Sequence, residues 1–277
     1  MNHAIKPPDW SGARGERWLG HLNALEATIA PVNEALFRGL DVRTPARIAD
    51  IGSGGGDGAK EIARRAPEGS SVTGFDISPV LVEAAQKLDT PKGRSLSFEI
   101  ADAQTTKPAA LYDRLSSRFG VMFFADPDQA FANLRQWLKP DGAFAFAVWG
   151  PLANNPWMGV VHDCVAACIE LSEPPADTPG PYRYANAGFF TEVLSRAGFQ
   201  NLEVHEWNGK LPVGGGLPAR EAAKFSLSAF SVAHPLADAE PAAQDRALDL
   251  LTDAYAAFEE NGQVHADAHV HIVKGSV

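Results

Sequence analysis

A cluster of glycines stands between a short apolar run and a helical pattern, in the stretch ADIGSGGGDGAKEIARR at 49–65. Such a turn can hold a phosphate, a dinucleotide or a different ligand. Gly52 and Gly54 fit the start of the dinucleotide pattern, but Asp57 stands at the helix start, where its carboxylate repels a pyrophosphate. The sequence lacks Gly-Lys-Ser/Thr here, so the turn is not of the nucleoside-triphosphate type.

Acidic residues after three successive predicted strands favour a ligand with an amino-acid moiety. Asp50 precedes the first glycine, and its charge suits an ammonium group together with the carbonyl groups of the turn. Asp76 ends the second strand and can accept from both hydroxyls of a ribose. Asp102 and Ala103 follow the third strand, where a carboxylate and a backbone N–H can contact the edge of an adenine. Ammonium, ribose and adenine together describe S-adenosylmethionine (SAM).

The order of the motifs resembles that of class I SAM-dependent methyltransferases, in a bacterial branch related to the ubiquinone-biosynthesis and small-molecule enzymes. The motifs are DIGSGGG at 50–56, GFDIS at 74–78, ADAQ at 101–104, SRFGVMFFADP at 117–127, LKPDG at 138–142, WGPLANNPW at 149–157 and GPYRYANAGFFTEVLSRAGF at 180–199. The resemblance implies that SAM binds at the carboxyl ends of strands one to four. The matching cofactor residues are Asp50, Gly52, Ser53, Gly54, Asp76, Ile77, Asp102, Ala103 and Gln104.

Strands and helices alternate from residue 46 to about 149, which predicts a parallel sheet with helices on both faces. The resemblance implies a doubly wound, Rossmann-like α/β fold with seven strands in the order 3-2-1-4-5-7-6 and strand seven antiparallel. We predict an N-terminal helical segment over the cofactor site at 1–45, the SAM-binding core at 46–150, a cap inserted after strand five at 151–187, and the rest of the core with additional helices at 188–277. Within the cap, the proline-rich tract at 172–181 is predicted to be a mobile lid.

The resemblance implies methyl transfer by in-line displacement to a small, partly apolar organic acceptor. Positioning and water exclusion supply most of the rate enhancement in such a reaction. A general base is needed only when the acceptor must lose a proton. His21 in the N-terminal helices and His162 in the cap are the candidate bases, and a packing or surface role is the alternative interpretation of each.

Aromatic and amide side chains follow the fifth strand, at the mouth of the predicted site. Aromatic walls with amide donors suit a small, partly apolar acceptor. We therefore predict that the acceptor is bound by Trp149, Asn154, Asn155 and Trp157. The alternative interpretation is that Trp149 only closes the core.

Two further residues are candidates for the cofactor site. Trp18 can pack over SAM from the N-terminal helix, or it can pack between helices. Arg118 follows strand four, where it can bind the carboxylate of SAM or an anionic acceptor. The alternative for Arg118 is a structural ion pair.

The stretch HADAHVH at 265–271 contains residue types that bind zinc. His265, Asp267, His269 and His271 share one face of a strand, but residues two apart are nearly 7 Å apart along the chain. At most two adjacent side chains can reach one ion, so we predict a polar outer face and no metal site.

Charge, hydropathy and cysteine content limit which partners the protein can bind and in which cellular compartment it can act. A net charge of −10 argues against a protein that grips a nucleic acid backbone. The sequence has no apolar run long enough for a membrane span and no signal-peptide pattern. Cys164 and Cys168 are interpreted as buried thiols in a reducing compartment, so we predict a cytoplasmic protein.

Two rival functions stay open beside methyl transfer. The first is a nicotinamide-dependent oxidoreductase on a doubly wound sheet, and the features against it are Asp57, Asp50 and the LKPDG hairpin. The second is a non-catalytic SAM-binding module. The aromatic insertion after strand five counts against that module, because a protein that only binds SAM needs no acceptor pocket.

Overall fold

The computed structural model describes residues 9–171 and 178–277, so residues 172–177 of the predicted lid lie outside the described part. A single sheet in the order β3-β2-β1-β4-β5-β8-β6 forms the centre of the fold, and β7 pairs only with β8. The strands are β1 (Arg47–Ile51), β2 (Ser71–Asp76), β3 (Ser95–Ile100), β4 (Tyr112–Arg118), β5 (Leu138–Trp149), β6 (Gln200–Pro212), β7 (Glu259–Glu260) and β8 (Gln263–Ser276).

The predicted strand order is confirmed, with β8 in the place of the antiparallel strand seven. β1 to β5 pair in parallel, and β8 runs antiparallel to both β5 and β6. The central strand β1 is apolar on both faces because helices cover both: Ile48, Ala49 and Ile51 are at most 1% exposed. The prediction of seven strands missed the two-residue β7.

Strand β4 is unusually polar for a central strand, and its polar side chains except Ser116 have partners in neighbouring groups. Arg114 Nε donates to the Leu40 carbonyl at 2.9 Å, and Nη1 donates to the Asp113 carbonyl at 2.8 Å. Ser116 is fully buried and lies opposite Asp50 in the pairing of β1 with β4. The polar residues of β4 therefore face the N-terminal helices and the end of β1.

The N-terminal region contains three short helices within the helical segment that we predict at 1–45. They are α1 (Ala13–Gly20), α2 (Leu22–Ile29) and α3 (Asn33–Leu40), with breaks at His21 and at a 3₁₀ turn over Ala30–Val32. Gly39 brings α3 against the sheet, because a Cβ at this position would lie 3.0 Å from Ile272 Cγ2. The chain thus returns from α2 to the sheet before β1 begins.

The remaining helices flank the sheet and build the region after β5. They are α4 (Asp57–Arg65), α5 (Pro79–Ala85), α6 (Pro127–Arg135), α7 (Pro156–Ala166), α8 (Ala187–Arg196), α9 (Ala219–Ala229), α10 (Ala233–Ala237) and α11 (Pro241–Ala256). Helix α7 ends before Cys168, and both Cys164 and Cys168 are free and only half-buried. Over the described residues, every helix is too short or too polar to cross a membrane.

Candidate active site

The turn after β1 depends on glycines in the left-handed backbone region. Gly52 has φ +66° and Gly54 has φ +55°. A Cβ at Gly52 would also lie 2.8 Å from the Cα of Gly120, which follows β4. The N–H groups of Gly52 and Ser53 donate to the Phe75 carbonyl at 2.8 and 3.0 Å. The turn is therefore held between the carboxyl ends of β2 and β4.

Asp76, the last residue of β2, connects this turn to the start of α5. Its Oδ2 accepts from the Gly54 N–H at 2.8 Å, and its Oδ1 accepts from the Ser78 N–H at 2.9 Å. Burial raises the pKa of Asp76, and the backbone N–H donors oppose that shift. A carboxylate has about four acceptor positions, so Asp76 can still accept from ligand hydroxyls.

Asp50 lies beneath the glycine turn and is 3% exposed. Burial raises the pKa of Asp50 to about 7, and the guanidinium of Arg118 opposes that shift. The hydroxyl of Ser116, opposite Asp50 in the neighbouring strand, also lowers this pKa, but among the described residues no donor meets Asp50 Oδ1 in good hydrogen-bond geometry. Because a buried carboxylate is costly without a partner, this oxygen suits a cationic ligand group such as the predicted ammonium.

Arg118 contacts the N-terminal helices. It forms a buried ion pair with Glu26 of α2 and donates to Asn33 Oδ1 of α3 at 2.7 Å. Burial raises the pKa of Glu26, while Arg118 lowers it. Two nitrogen atoms of Arg118 are thus bound within the protein, as the ion-pair interpretation expects.

The predicted adenine-binding residues meet at the ends of β2 and β3. The Asp102 carboxylate accepts from the Gln104 N–H at 2.9 Å, and Gln104 Oε1 accepts from the Asp126 N–H at 2.8 Å. The Ala103 N–H donates to no acceptor among the described residues. Ile77, the residue after β2, leaves 40% of its surface exposed. A free backbone donor and an open apolar side chain are the groups that an adenine edge and face require.

Helix α1 lies across this edge of the sheet. Trp18 covers the turn, with its Nε1 3.9 Å from a Cβ placed at Gly54. Gly15 lets α1 approach the start of α5, because a Cβ there would lie 2.3 Å from Ser78 Oγ. Sequence reasoning did not single out Gly15, although a glycine inside a helical pattern often marks such a close approach.

An aromatic wall follows β4 and β5. Trp149 stacks on Phe119 with ring centroids 4.1 Å apart, and Trp157 meets the edge of Trp149 at 5.9 Å. Trp149 is 6% exposed and Trp157 is 1% exposed. Phe119 has φ +64°, which is a rare conformation for an aromatic residue and often occurs at functional sites. Sequence reasoning missed Phe119, and its only signal is its place directly after the fourth strand.

The two predicted amide residues of the acceptor site differ in their surroundings. Asn155 is completely buried, and its Nδ2 donates to the carbonyls of Gly150, Pro151 and His269. Its Oδ1 accepts from the His269 N–H at 3.0 Å. Asn155 therefore connects the chain after β5 to β8, whereas Asn154 is exposed at the end of a 3₁₀ turn.

The two candidate bases lie on different elements. His21 is half-buried between α1 and α2, with its ring 5.9 Å from that of Phe225 in α9. His162 is exposed on α7, and its Nδ1 lies 3.5 Å from Asp163 Oδ1. His21 thus lies on the cover of the glycine turn, and His162 lies on the surface of the cap.

The prediction of a polar outer face on β8 is wrong at two histidines. His269 and His271 are each 5% exposed, because Gly150 packs on the first ring and the segment before α8 covers the second. With Glu206 of β6, they bring three potential metal-ligand atoms within 4.8 Å of one another. His271 Nε2 already donates to the Ala185 carbonyl at 3.1 Å. The absence of a metal site here stays a prediction.

The strand order, the left-handed glycine turn after β1 and the carboxylate that ends β2 define a Rossmann-like fold of the methyltransferase type. A family model described as a methyltransferase domain matches residues 48–142, from β1 into β5. The resemblance to class I SAM-dependent methyltransferases, with relatives in bacterial quinone biosynthesis, is thereby confirmed.

Among curated proteins, the demethylmenaquinone methyltransferase of Deinococcus radiodurans is 30% identical over 146 residues, which are 47% of this chain and 60% of that protein. The chain spans about half the length of the curated relatives it matches. The family model ends at residue 142, within β5.

Solved structures match almost the whole fold at low sequence identity. A putative methyltransferase from an antibiotic biosynthesis pathway of Anabaena variabilis has a TM-score of 0.61 at 15% identity, over 91% of this chain and 100% of that one. The [4+2]-cyclase SpnF has a TM-score of 0.56 at 15% identity, over 99% and 98% of the two chains. These neighbours establish the fold and do not fix one reaction.

Proposed function

We propose that the protein transfers a methyl group from SAM to a small, partly apolar organic acceptor. The main support for this proposal is the hydrogen bond between the glycine turn and Asp76. The Gly54 N–H fixes a buried carboxylate that keeps spare acceptor positions, and Asp50 offers an unpartnered oxygen beneath the same turn. This arrangement suits a ligand with hydroxyls and an ammonium group, and it opposes an anionic ligand.

The polar groups around the turn fit SAM. Asp50 Oδ1, Ser53 Oγ and Ser78 Oγ are buried and lack hydrogen-bond partners within the described part of the chain. In our proposal Asp50 binds the ammonium group, Asp76 binds the ribose hydroxyls, and Asp102 with the Ala103 N–H binds the adenine. Ile77 packs on the base, and the glycines leave room for the methionine end.

Bound SAM supplies an electrophilic sulfonium methyl group. The chain contributes orientation and the exclusion of water. Trp18 covers the turn, while Phe119 and Trp149 form an apolar wall where the chain leaves β4 and β5. The N-terminal segment at 1–45 and the cap at 151–187 are, in our proposal, the parts that enclose the acceptor.

For an acceptor that must lose a proton, we propose His21 as the base. His21 lies beside the cover of the glycine turn, whereas His162 is exposed on α7. Replacing His21 by Ala should then lower methyl transfer without changing SAM affinity. An equal loss from His162→Ala would contradict this choice.

Calorimetric titration with SAM, S-adenosylhomocysteine and NADH tests the cofactor assignment. We expect both adenosyl ligands to bind with dissociation constants of about 1–100 μM and NADH not to bind. Binding of NADH alone would overturn the proposal and favour the oxidoreductase. Transfer of a labelled methyl group from SAM to members of a panel of small phenols and organic acids then tests the reaction.

The second candidate is a protein that binds SAM without transferring its methyl group. A solved neighbour with this fold is described as a [4+2]-cyclase, so the fold is compatible with other chemistry. Tight SAM binding with no methyl transfer to any member of the acceptor panel would favour this second function.

We further propose that the acceptor is not a nucleic acid and that the protein acts in the cytoplasm. The net charge of −10 opposes binding to a phosphate backbone. The two cysteines are free and half-buried, which suits a reducing compartment. Salt-dependent retention on immobilised DNA at neutral pH would contradict the first part, and fractionation of cells would test the second.

A further inference from the structure

Arg14 of α1 lies between two aromatic rings at the edge of the candidate site. Its guanidinium carbon is 4.7 Å from the ring centroid of Trp10 and 5.2 Å from that of Phe123. The two rings themselves meet edge to face at 4.9 Å. Phe123 belongs to the 3₁₀ turn after β4, so these contacts join the N-terminal helix to the segment that borders the reaction site.

The polar groups of this cluster are donors without acceptors. Within residues 9–171 and 178–277, no carboxylate or carbonyl accepts a hydrogen bond from the guanidinium of Arg14, whereas its backbone N–H donates to the Asp9 carbonyl at 3.1 Å. Trp10 Nε1 is buried and likewise has no partner among these residues. An indole N–H and a guanidinium can only donate. Together they require a ligand group rich in acceptor oxygens.

In the described part of the chain, Arg14 lacks a carboxylate partner, as do Arg17, Arg47, Arg114, Arg135, Arg183 and Arg246, whereas the eight other arginines have one. Arg14 is half-buried, and its neighbour Arg17 adds a second positive charge. Burial, followed by Arg17, lowers the pKa of Arg14 to about 10, so the side chain is still a cation at neutral pH. A carboxylate lies within ion-pair distance of Arg38, Arg43, Arg64, Arg65, Arg94, Arg118, Arg196 and Arg220. A partly desolvated cation is costly unless an anion binds to it.

The cluster of Arg14, Trp10 and Phe123 lies next to the proposed cofactor and acceptor sites. Trp10 contacts Trp18 edge to face at 5.5 Å, and Trp18 covers Gly54 of the cofactor turn. On the other side, the carbonyl of Phe124 accepts from Arg183 of the cap. The cluster therefore lies where the cofactor cover, the segment after β4 and the cap meet.

We propose that Arg14 and the indole N–H of Trp10 bind a carboxylate group of the methyl acceptor, so that the preferred acceptor is an organic acid. The guanidinium presents a planar fork that matches the two oxygens of a carboxylate. The rings of Trp10 and Phe123 hold this fork in place and give an apolar body beside the anion. The inference rests on the proposed methyl transfer, because it assigns the acceptor of that reaction.

The test uses the full chain saturated with S-adenosylhomocysteine and three probes: benzoate, its neutral methyl ester and phenyl phosphate. We expect benzoate to bind at least about tenfold more tightly than methyl benzoate in calorimetry. Arg14→Gln should remove this preference and leave the ester unaffected. Arg14→Lys should keep part of it, because the charge stays and the planar fork is lost. Arg38→Gln, at an exposed ion pair with Glu34, is the control and should change nothing.

Each other outcome overturns the proposal. Lack of benzoate binding up to about 10 mM, or an equal preference in Arg14→Gln, excludes the carboxylate site. Tighter binding of phenyl phosphate than of benzoate assigns the site to a phosphate. Weaker binding of S-adenosylhomocysteine to Arg14→Gln, with unchanged binding of methylthioadenosine, assigns Arg14 to the carboxylate of the cofactor. Failure of the unaltered protein to bind S-adenosylhomocysteine refutes the proposed function itself, and that result is obtained before any acid is added.

Discussion

The proposed cofactor side and the proposed acceptor side of the candidate active site are built from different groups. On the cofactor side, backbone N–H groups of the glycine turn and of Ser78, the residue before α5, set the geometry, and Asp76 accepts from one of each. On the proposed acceptor side, the contacts are between side chains: Phe119, after β4, stacks on Trp149 at the end of β5, and Arg14 of α1 contacts Phe123. Phe119, Trp149 and Arg14 are far apart in the sequence.

Because of this difference, we expect the two sides to respond differently to substitution. A turn made of backbone groups tolerates few residue types, because its φ angles and close approaches exclude side chains. A wall of side chains tolerates changes of residue as long as the surface stays apolar. We therefore expect substitutions on the cofactor side to abolish ligand binding, and those on the acceptor side to change turnover or acceptor choice.

The largest effect is expected for Gly54→Val. The residue has φ +55°, which costs a β-branched residue on the order of 1–2 kcal/mol of stability, and its side chain would point toward Trp18. We expect a folded protein with no measurable SAM binding in calorimetry. The control is Gly20→Ala, because a Cβ at Gly20 has no atom within 4 Å and Ala favours the helix. Normal SAM affinity in Gly54→Val would show that the turn is not the methionine site.

Asp76→Ala should weaken SAM binding strongly, but less than Gly54→Val does. The change removes two charge-assisted hydrogen bonds to backbone N–H groups, each worth roughly 1.5–3 kcal/mol, in addition to the proposed ribose contact. SAM affinity should fall by more than about tenfold, and the protein should also unfold at a lower temperature.

Asp113→Ala is the matched control for Asp76→Ala. Asp113 lies at the amino end of β4, whereas Asp76 lies at the carboxyl end of β2. The Asp113 carboxylate accepts a hydrogen bond from the Arg47 N–H at 2.8 Å. Its loss should lower thermal stability and leave SAM affinity unchanged. If both variants weakened SAM binding equally, the effect of Asp76 would be one of stability and the ribose assignment would be wrong.

The difference between the two sides also explains which parts of the site could be predicted from the sequence. The strand order and the convergence of Asp50, Asp76 and Ala103 at one edge followed from short motifs in chain order. By contrast, Asn155 forms hydrogen bonds with His269 of β8, which lies more than a hundred residues later in the chain. No local sequence pattern predicts that contact. The burial of His271 has the same origin, because the covering carbonyl belongs to the cap. Long-range packing of this kind is invisible to spacing and periodicity.

On the acceptor side, we expect Phe119→Gly to separate binding from turnover. Glycine adopts the φ of +64° without strain but removes the ring that stacks on Trp149 at 4.1 Å. SAM affinity should stay within about twofold, while methyl transfer should fall by about tenfold or more. Steady-state kinetics beside calorimetry measures the two effects separately. A parallel loss of SAM affinity would mean that Phe119 belongs to the cofactor side and that the division into two sides is wrong.

The smallest expected effect is the release of a proton from Asp50 when SAM binds. Burial raises the pKa of Asp50 to about 7, so a large fraction of the carboxyl groups are protonated at neutral pH. An ammonium group beside Asp50 lowers this pKa and expels the proton, so SAM affinity should rise as the pH increases from about 6 to 8. The binding enthalpy at pH 7 should accordingly differ between phosphate and Tris buffers by part of the difference in their ionisation enthalpies. Asp50→Asn should abolish the buffer dependence. Equal enthalpies in both buffers for the unaltered protein would mean that the ammonium group binds elsewhere, which would leave the glycine turn without its proposed cation partner.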